Sequence, residues 1–550
     1  MLKKRDIFSL FFINLIIFFS IAAFSKINCE VVLKNPQFQS YTVNIGHKKI
    51  NTDVLNEELL EIKLPYGVSE FSINGINKHQ ITNIFLDGNE ITSPDEISSN
   101  LLKLKIKMLF KVFGLSFAGL LLEIILAALF FIPQKDKFWE NLKNDKSVFY
   151  ISGLILAVFI LWNFYNVFQN AVDLPFWDEW EALLPGHLDK QINYNWLLSF
   201  HNEHKIFWTR LFSWILYNFD GWNLRHQIIL NFFLYLVSMF VLYKIIPDKN
   251  SLLPLFFIPC FSDVLIENQM TGFQSVFYFM LLFSFLAIYF GFVKENNVKN
   301  TLLFSIFAVC SMFSMTFISG IALFAAFIIK QHRINKNLII AGCIIITGLI
   351  IFFSNYKHID VQMEITTPDK LLFWYYYLRV ILKGIFNIYL PFILTMIAGI
   401  LMIGGFVISY IREKDKNDYY VYLALILLSL FLVAGIAAGR ASGDPFHSVA
   451  GRHLNVINYL IPCISALLMR FNYIKAALIY FLILVFGFSS CYSFKTYISL
   501  KEFRVQAKRE LLMVINTKRA ELTVGKVNPF DIKKCITRAK ELNVSFLRVM

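Results

Sequence analysis

The stretch FYISGLILAVFILWNFYNVFQNAVDLPFWDEWEALLPGHL, residues 149–188, decides the fold class. Its first part, 149–168, is mostly apolar and rich in Phe, Ile and Leu, and about 20 apolar residues suffice to cross a bilayer as a helix. Then Asp178, Glu179 and Glu181 fall within four positions, beside Trp177 and Trp180. Ionisable side chains at a membrane edge are costly and by default point to function. A carboxylate shielded by aromatic rings there can act as a general base with a tuned pKa. The plainer reading is the start of an interfacial helix, with Trp in the aromatic belt and acids at a helix N-terminus.

The same apolar pattern recurs along the whole chain. Of its 550 residues 57% are hydrophobic and 16% charged, against roughly 25% charged in a soluble protein. The sequence therefore predicts an all-α polytopic membrane protein of about thirteen spans. The net charge of +14 lies mainly in short loops between apolar runs, so it speaks for membrane topology rather than for nucleic acid. Seven scattered cysteines form no CxxC pair, which leaves neither a zinc site nor a disulfide framework to propose.

Four regions are expected. Residues 1–26 carry a basic start and an apolar run; they form a signal peptide or a retained first helix, and the lack of a clean A-x-A site favours retention. Residues 27–106 are polar and alternate in period two (YTVNI, LEIKL, FSI) between turn signals (PYG, NG, DGNE), which predicts a small extracytoplasmic β-sandwich. Residues 107–494 form the multi-span domain. Spans are expected near 107–132, 149–168, 224–246, 337–354, 388–410, 419–438, 454–470 and 475–493, with hairpins over 252–293 and 301–330. KIFWTRLFSWILYNF (205–219) reads as an amphipathic interfacial segment. WYYYLRVILKG (374–384) reads as the end of a polar loop. Residues 495–550 form a basic, helical extracytoplasmic tail. The loops KENNVKN, KQHRINK, IREKDKND and MRFNYIK all carry Lys or Arg, so one topology puts them inside and the acidic cluster outside.

Two further clusters fall on that outer side. SFHNEHKIFWTR (199–210) offers His201, Glu203, His204, Lys205 and Arg210; the i, i+3 spacing of its histidines would put them on one helical face. A solvated polar face, recognition of phosphate, and metal binding all remain open there. AAGRASGDPFHSVAGRHLN (437–455) sets Arg440 and Arg452 beside glycines, with His447 and His453. Arg forks bind phosphate oxygens bidentately, and the bland alternative is snorkelling at helix ends. Glu267, Asn268 and Gln274 in ENQMTGFQ, and Arg379, are weaker signals, each read as interfacial structure.

The order of these parts resembles the GT-C superfamily of membrane glycosyltransferases, including a poorly characterised bacterial GT-C-like group. WDEWEALL stands at the acidic motif of the first external loop, Lys205 at the lysine position, NFDGWN at the following glycine turn and Arg225 at the arginine. ENQMTGFQSVFYF, SMTFISGIAL and GRASG…AGRH also look like segments of that group. The chain lacks Pro-Pro after Lys205 and has Gly451 and His453 where Ser and Tyr are usual. The resemblance implies an inverting transferase in the bacterial inner membrane, with its active site on the extracytoplasmic face. It would move a sugar from a polyprenyl-phosphate donor to a glycan, lipid or protein acceptor, among membrane lipids and without nucleic acid. By that resemblance Asp178 is the base. Glu179 orients the acceptor or an optional divalent cation, Mg or Mn. His201, Glu203, His204, Lys205, Arg225, Arg440, Arg452 and His453 bind substrate or phosphate. The alternatives are a lipid-linked glycan transporter or flippase, and a non-catalytic envelope assembly protein.

Overall fold

The computed structural model describes the backbone of 26–33, 40–45, 48–53, 59–65, 71–74, 81–86 and 89–91. It further describes 146–261, 266–356, 365–386, 418–442, 449–468, 501, 504–505, 508 and 532–548. The chain divides into two compact units, Met1–Phe130 and Phe131–Met550.

In the first unit the period-two segments are strands: β1 Lys26–Leu33, β2 Ser40–Ile45, β3 Lys48–Asp53, β4 Leu59–Pro65, β5 Phe71–Asn74, β6 Ile81–Leu86 and β7 Asn89–Ile91. They pair in two sheets of order β4-β1-β6-β7 and β3-β2-β5. Ile45 pairs with Lys48 and Leu86 with Asn89. Gly-His and Asp-Gly lie between those partners, the two-residue spacing that suits a tight hairpin.

The second unit is helical: α1 Lys146–Asn170, α2 Phe207–Asp220, α3 Leu224–Ile245, α4 Ser275–Ile288, α5 Val298–Met312, α6 Phe317–Gln331, α7 Lys336–Phe353, α8 Leu371–Phe386, α9 Tyr419–Arg440, α10 Leu460–Leu468 and α11 Ile532–Glu541. Among the described residues five helices are long and apolar enough to cross a membrane: α1, α3, Gly272–Val293 around α4, α7 and α9. The packing of α1 is inverted relative to a soluble bundle. On α1, Ser152, Asn163, Asn166 and Asn170 are buried while Tyr150, Ile151, Leu154, Val158, Leu161 and Tyr165 are exposed. Water would not tolerate that face; lipid does, and the amides find partners inside the protein. Asn163, for instance, donates to Gln269 at 3.2 Å. Asn223, Asn297, Thr316 and Asn335 cap the N-termini of α3, α5, α6 and α7.

Three expectations change. The first arm of the 252–293 hairpin is not one helix: Leu253–Phe256 and Ile258–Phe261 are separate turns, with Pro254 and Pro259 removing the amide donors a continuous helix needs. The WYYYLRVILKG segment is helix α8 rather than the end of a polar loop. His201 and His204 sit on a small hairpin, β8 Phe200–His201 and β9 His204–Lys205, where they are cross-strand partners and not neighbours on a helix. Asn202, at φ 52°, supplies the left-handed turn between them. The spans expected at 107–132, 388–410 and 475–493, together with residues 1–25, lie outside the described residues.

Hydrogen bonds mark the two ends of the bundle. At one end, Leu224 N–H donates to Asp173, Phe207 N–H to Phe313 O, Lys205 Nζ to Ile351 O and Asn268 to Arg452 O. At the other, Lys330 Nζ donates to Gly291 O, Asn296 to Gln331, and Tyr422 to Asp248. The loops KENNVKN and KQHRINK share this second end; the acidic cluster is at the first.

Close packing of α8 rests on Gly384, where an added Cβ would lie 1.8 Å from Ile457 Cγ2, whereas Gly153 on α1 has nothing within 4 Å. Gly384→Ala should therefore destabilise the protein by about 1–3 kcal/mol, and Gly153→Ala should not, read as thermal unfolding midpoints in detergent.

Candidate functional site

The site grows from a 3-10 helix, Trp177–Leu183, that follows α1. Glu179 is buried at its start. Its Oε2 accepts Phe176 N–H at 2.7 Å and its Oε1 accepts Phe273 N–H at 2.9 Å. These bonds tie the helix to the beginning of the Gly272–Val293 span. Burial pushes the Glu179 carboxyl up, with Arg504 and the backbone N–H groups opposing. Both oxygens are engaged by the fold, so Glu179 braces the loop and does not face an acceptor.

Asp178 and Glu181 stand on either side of His201. The Asp178 Oδ2–His201 Nε2 distance is 3.9 Å, His201 Nδ1 lies 2.8 Å from Glu181 Oε2, and Arg210 Nη2 lies 2.6 Å from Glu181 Oε1. Arg210 Nη1 also donates to the carbonyls of Trp196 and Ser199 at 2.6 Å. His201, Glu181 and Arg210 are buried, while the Asp178 side chain is 46% exposed. The result is a line of alternating charge whose inner end is anchored by the backbone and whose outer end is an accessible carboxylate.

Burial opposes charge on His201, but the hydrogen bonds and charges of Asp178 and Glu181 win and raise its pKa to about 9. Burial likewise opposes ionisation of Glu181, yet His201 and Arg210 bring it down to about 2. Asp178 is held below the usual carboxylate range because His201 and then Arg452 outweigh its desolvation. At neutral pH the line reads carboxylate, imidazolium, carboxylate, guanidinium.

The second group approaches from elements far along the chain. Arg452, on the 3-10 helix Gly451–Leu454, pairs with Glu267 at 2.8 Å. Arg440 ends α9, is exposed, and has no hydrogen bond or ion pair among the described residues. Arg452 lies within electrostatic reach of the carboxylate line, and Arg440 within reach of the neighbouring His204 and His453. Arg452 lowers the pKa of Asp178. Arg440 and His201 add to burial in lowering His204 to about 4. Burial, Arg452, Arg440 and His204 lower His453 to about 3. His453 is buried and its Nδ1 has no hydrogen-bond partner among the described residues. Arg452 and the neutral His204 thus interact with Asp178, and Arg440 and the neutral His453 with His204.

Three other expected site residues are occupied elsewhere or lack contacts. Lys205 is buried, donates to Ile351 O at 2.9 Å, and sits among the rings of Phe200, Phe313 and Phe352. It caps the C-terminal end of α7 and is not available to a phosphate. Arg225 lies over the Phe168 ring at 4.9 Å and donates to Phe168 O; it closes the end of α1. Glu203 is half-buried in the β8–β9 turn with no ion pair among the described residues. His447 lies outside the described residues.

A divalent cation beside Glu179 does not fit these donors. The Glu179 oxygens accept backbone N–H groups and His201 Nδ1 faces Glu181. Among the described residues no group of three or more His, Cys, Asp or Glu is arranged to hold a metal.

Beneath Asp178 a small cavity lined by Glu181, Thr209, Arg210, Ser213, Gln227 and Phe273 has room for about one water molecule. The layer is closed by the tail. Ser545 Oγ donates to Asp173 at 2.7 Å, Ser545 N–H to Gly221 O at 2.8 Å, and Tyr217 Oη to Leu542 O at 3.1 Å. Arg504 is buried over the Phe176 ring, donating to Met270 O and Thr271 Oγ1. Sequence reasoning placed the tail apart from the site, because a single Arg in a basic helical pattern carries no sign of burial.

His201 holds its proton more tightly folded than unfolded, so its contribution is complete below its ordinary 6.5 and is lost as pH rises through about 9. Unfolding midpoints of the purified protein should therefore fall across that window, by about 1 kcal/mol per pH unit at the steepest. The slope should disappear in His201→Gln. Glu181→Gln, which leaves Arg210 buried without a counter-charge, should cost about 3–5 kcal/mol.

No protein-family model matches this chain, and neither a curated protein nor a solved structure is significantly similar to it.

Proposed function

We propose that the chain is an inverting membrane glycosyltransferase of GT-C type, moving a sugar from a polyprenyl-phosphate donor to an extracytoplasmic acceptor. The observation that supports this reading is the electrostatic link of Asp178, an accessible ionised carboxylate, to Arg452, and through His204 to Arg440, both from a distant part of the chain. A transferase using a lipid-phosphate sugar needs both parts near one membrane face: a base for the incoming hydroxyl and cations for the departing phosphate. A flippase would instead spread its charged groups toward the midplane, in paired broken helices.

In this reading Asp178 takes the proton of the acceptor hydroxyl as its oxygen attacks the anomeric carbon from the side opposite the phosphate. The bond to the phosphate oxygen breaks with its electron pair. Arg440 and Arg452 stabilise the charge that develops there, with His204 and His453 as neutral hydrogen-bond donors. His201, held by Glu181 and Arg210, keeps Asp178 ionised and aimed. Glu267 holds the Arg452 guanidinium until phosphate arrives. In this reading the N-terminal strands belong to a β-sandwich outside the membrane. The basic loops at the opposite end face the cytoplasm of a bacterial inner membrane.

Deleting the gene should leave a polyprenyl-linked sugar accumulating in lipid extracts, or an envelope glycan lacking one decoration. Asp178→Asn should reproduce that phenotype while the protein inserts normally. The double variant Arg440→Ala, Arg452→Ala should reduce transfer by a factor of at least about 100. Full transfer by Asp178→Asn would exclude the mechanism.

A further inference from the structure

Trp177 stands immediately before Asp178 with φ at 50° and its side chain 52% exposed. A bulky residue rarely adopts the left-handed region, because its Cβ crowds the backbone. Such strain persists only where the surroundings impose it, and it gathers at functional sites. Here they do impose it. Glu179 accepts the N–H of Phe176, and Phe176 O accepts the N–H of Glu179 at 3.2 Å, which clamps the backbone on both sides of Trp177. Phe176 is itself fixed between the Arg504 guanidinium at 4.7 Å and an edge contact with the Trp177 ring at 6.3 Å. The buried residues Glu179 and Arg504 thus hold an exposed indole on the residue that precedes Asp178.

A Trp wanted only as a headgroup anchor needs no such backbone. Tyr194, in the same layer, is 65% exposed on an ordinary helical turn. We propose that Trp177 is a stacking platform for a pyranose ring, which lays its apolar C–H face on the indole and so places its hydroxyl or anomeric carbon beside Asp178. This inference rests on the sugar-transfer reading above. The shared chemistry is a sugar ring with one apolar face; donor and acceptor are the two possible sources of it.

The test uses the full chain in lipid nanodiscs, with Trp177 emission taken as the difference between wild-type and Trp177→Phe spectra. The probes are polyprenyl phosphate bearing glucose, mannose or galactose, the methyl glycosides of the same sugars, and bare polyprenyl phosphate. Trp177 emission should change with at least one sugar-bearing probe and not with the bare carrier. A response to the lipid-linked sugars assigns the platform to the donor, and a response to the methyl glycosides assigns it to the acceptor. Trp177→Ala should weaken that binding about ten-fold while Trp177→Tyr keeps most of it. Trp177→Gly, which accepts the positive φ, should raise the unfolding midpoint while losing sugar affinity. The platform is overturned if no sugar probe alters Trp177 emission, if Trp177→Ala binds every probe as wild type does, or if Trp177→Gly only lowers stability. Full transfer by Asp178→Asn would count against the transferase reading and not against the platform, which the emission change with the sugar-bearing probes tests by itself.

Discussion

The line Asp178–His201–Glu181–Arg210 is the constraint on which the rest of this layer depends. Burying any one of these charges alone would be prohibitive; burying the inner three together is tolerable because each sits against its opposite. The Arg210 guanidinium also takes backbone carbonyls from the Tyr194–Leu198 turn and its C-cap. The line therefore fixes the 3-10 helix, the β8–β9 hairpin and α2 in one arrangement. The same pairing that stabilises the layer keeps His201 charged, and a charged His201 keeps Asp178 ionised. Structure and electrostatics of the exposed carboxylate share one cause.

That layer sits at the end of a bundle governed by a different solvent. Apolar side chains on α1 point outward while Asn and Ser point inward, so polar groups there supply the specificity that hydrophobic contrast supplies in water. Asn231 and Gln227 on α3 both donate to Gly272 O, and Glu179 accepts at Phe273 from above. The start of the Gly272–Val293 span is thus gripped from the bundle and from the surface layer at once. Gly272 fits this junction because an added Cβ would lie 3.0 Å from Glu179 Oε1 and 3.1 Å from Gln227. Displacing this turn would move the acid-bearing loop with it.

The parts legible in sequence were those written in local pattern. Apolar runs located α1, α3, α7 and α9, and period two located β2, β4 and β5 of the first unit. Charge clustering found Asp178, His201, Arg440 and Arg452, since charge beside a membrane is conspicuous wherever it occurs. Direction was not legible. Lys205 and Arg225 occupy the positions that the GT-C resemblance marks, yet each turns to a helix C-terminus and an aromatic face. Glu179 and Glu181 read as equivalents of Asp178, but a 3-10 helix sends consecutive side chains to different surroundings and buries both. The i, i+3 histidine spacing fits helix and hairpin alike, and one residue at positive φ, Asn202, decides between them. Arg504 and Ser545 could not be placed at all, because their partners lie hundreds of positions away.

Those remote partners indicate how the layer is ordered in time as well as in space. The carboxylate line is complete within residues 178–210, so it can form as soon as that segment leaves the bilayer. Arg452 reaches Glu267 only once α9 is in place, and Arg504 and Ser545 follow last in the chain. Until then Glu179 lacks the Arg504 charge that opposes its desolvation, and Phe176 lacks the guanidinium above its ring. The strained backbone at Trp177 is over-determined only when all these contacts exist, because strain of this kind has to be offset by surroundings that cannot relax. The tail therefore completes the layer: the segment farthest in sequence from Asp178 supplies the last constraint on the residue beside it.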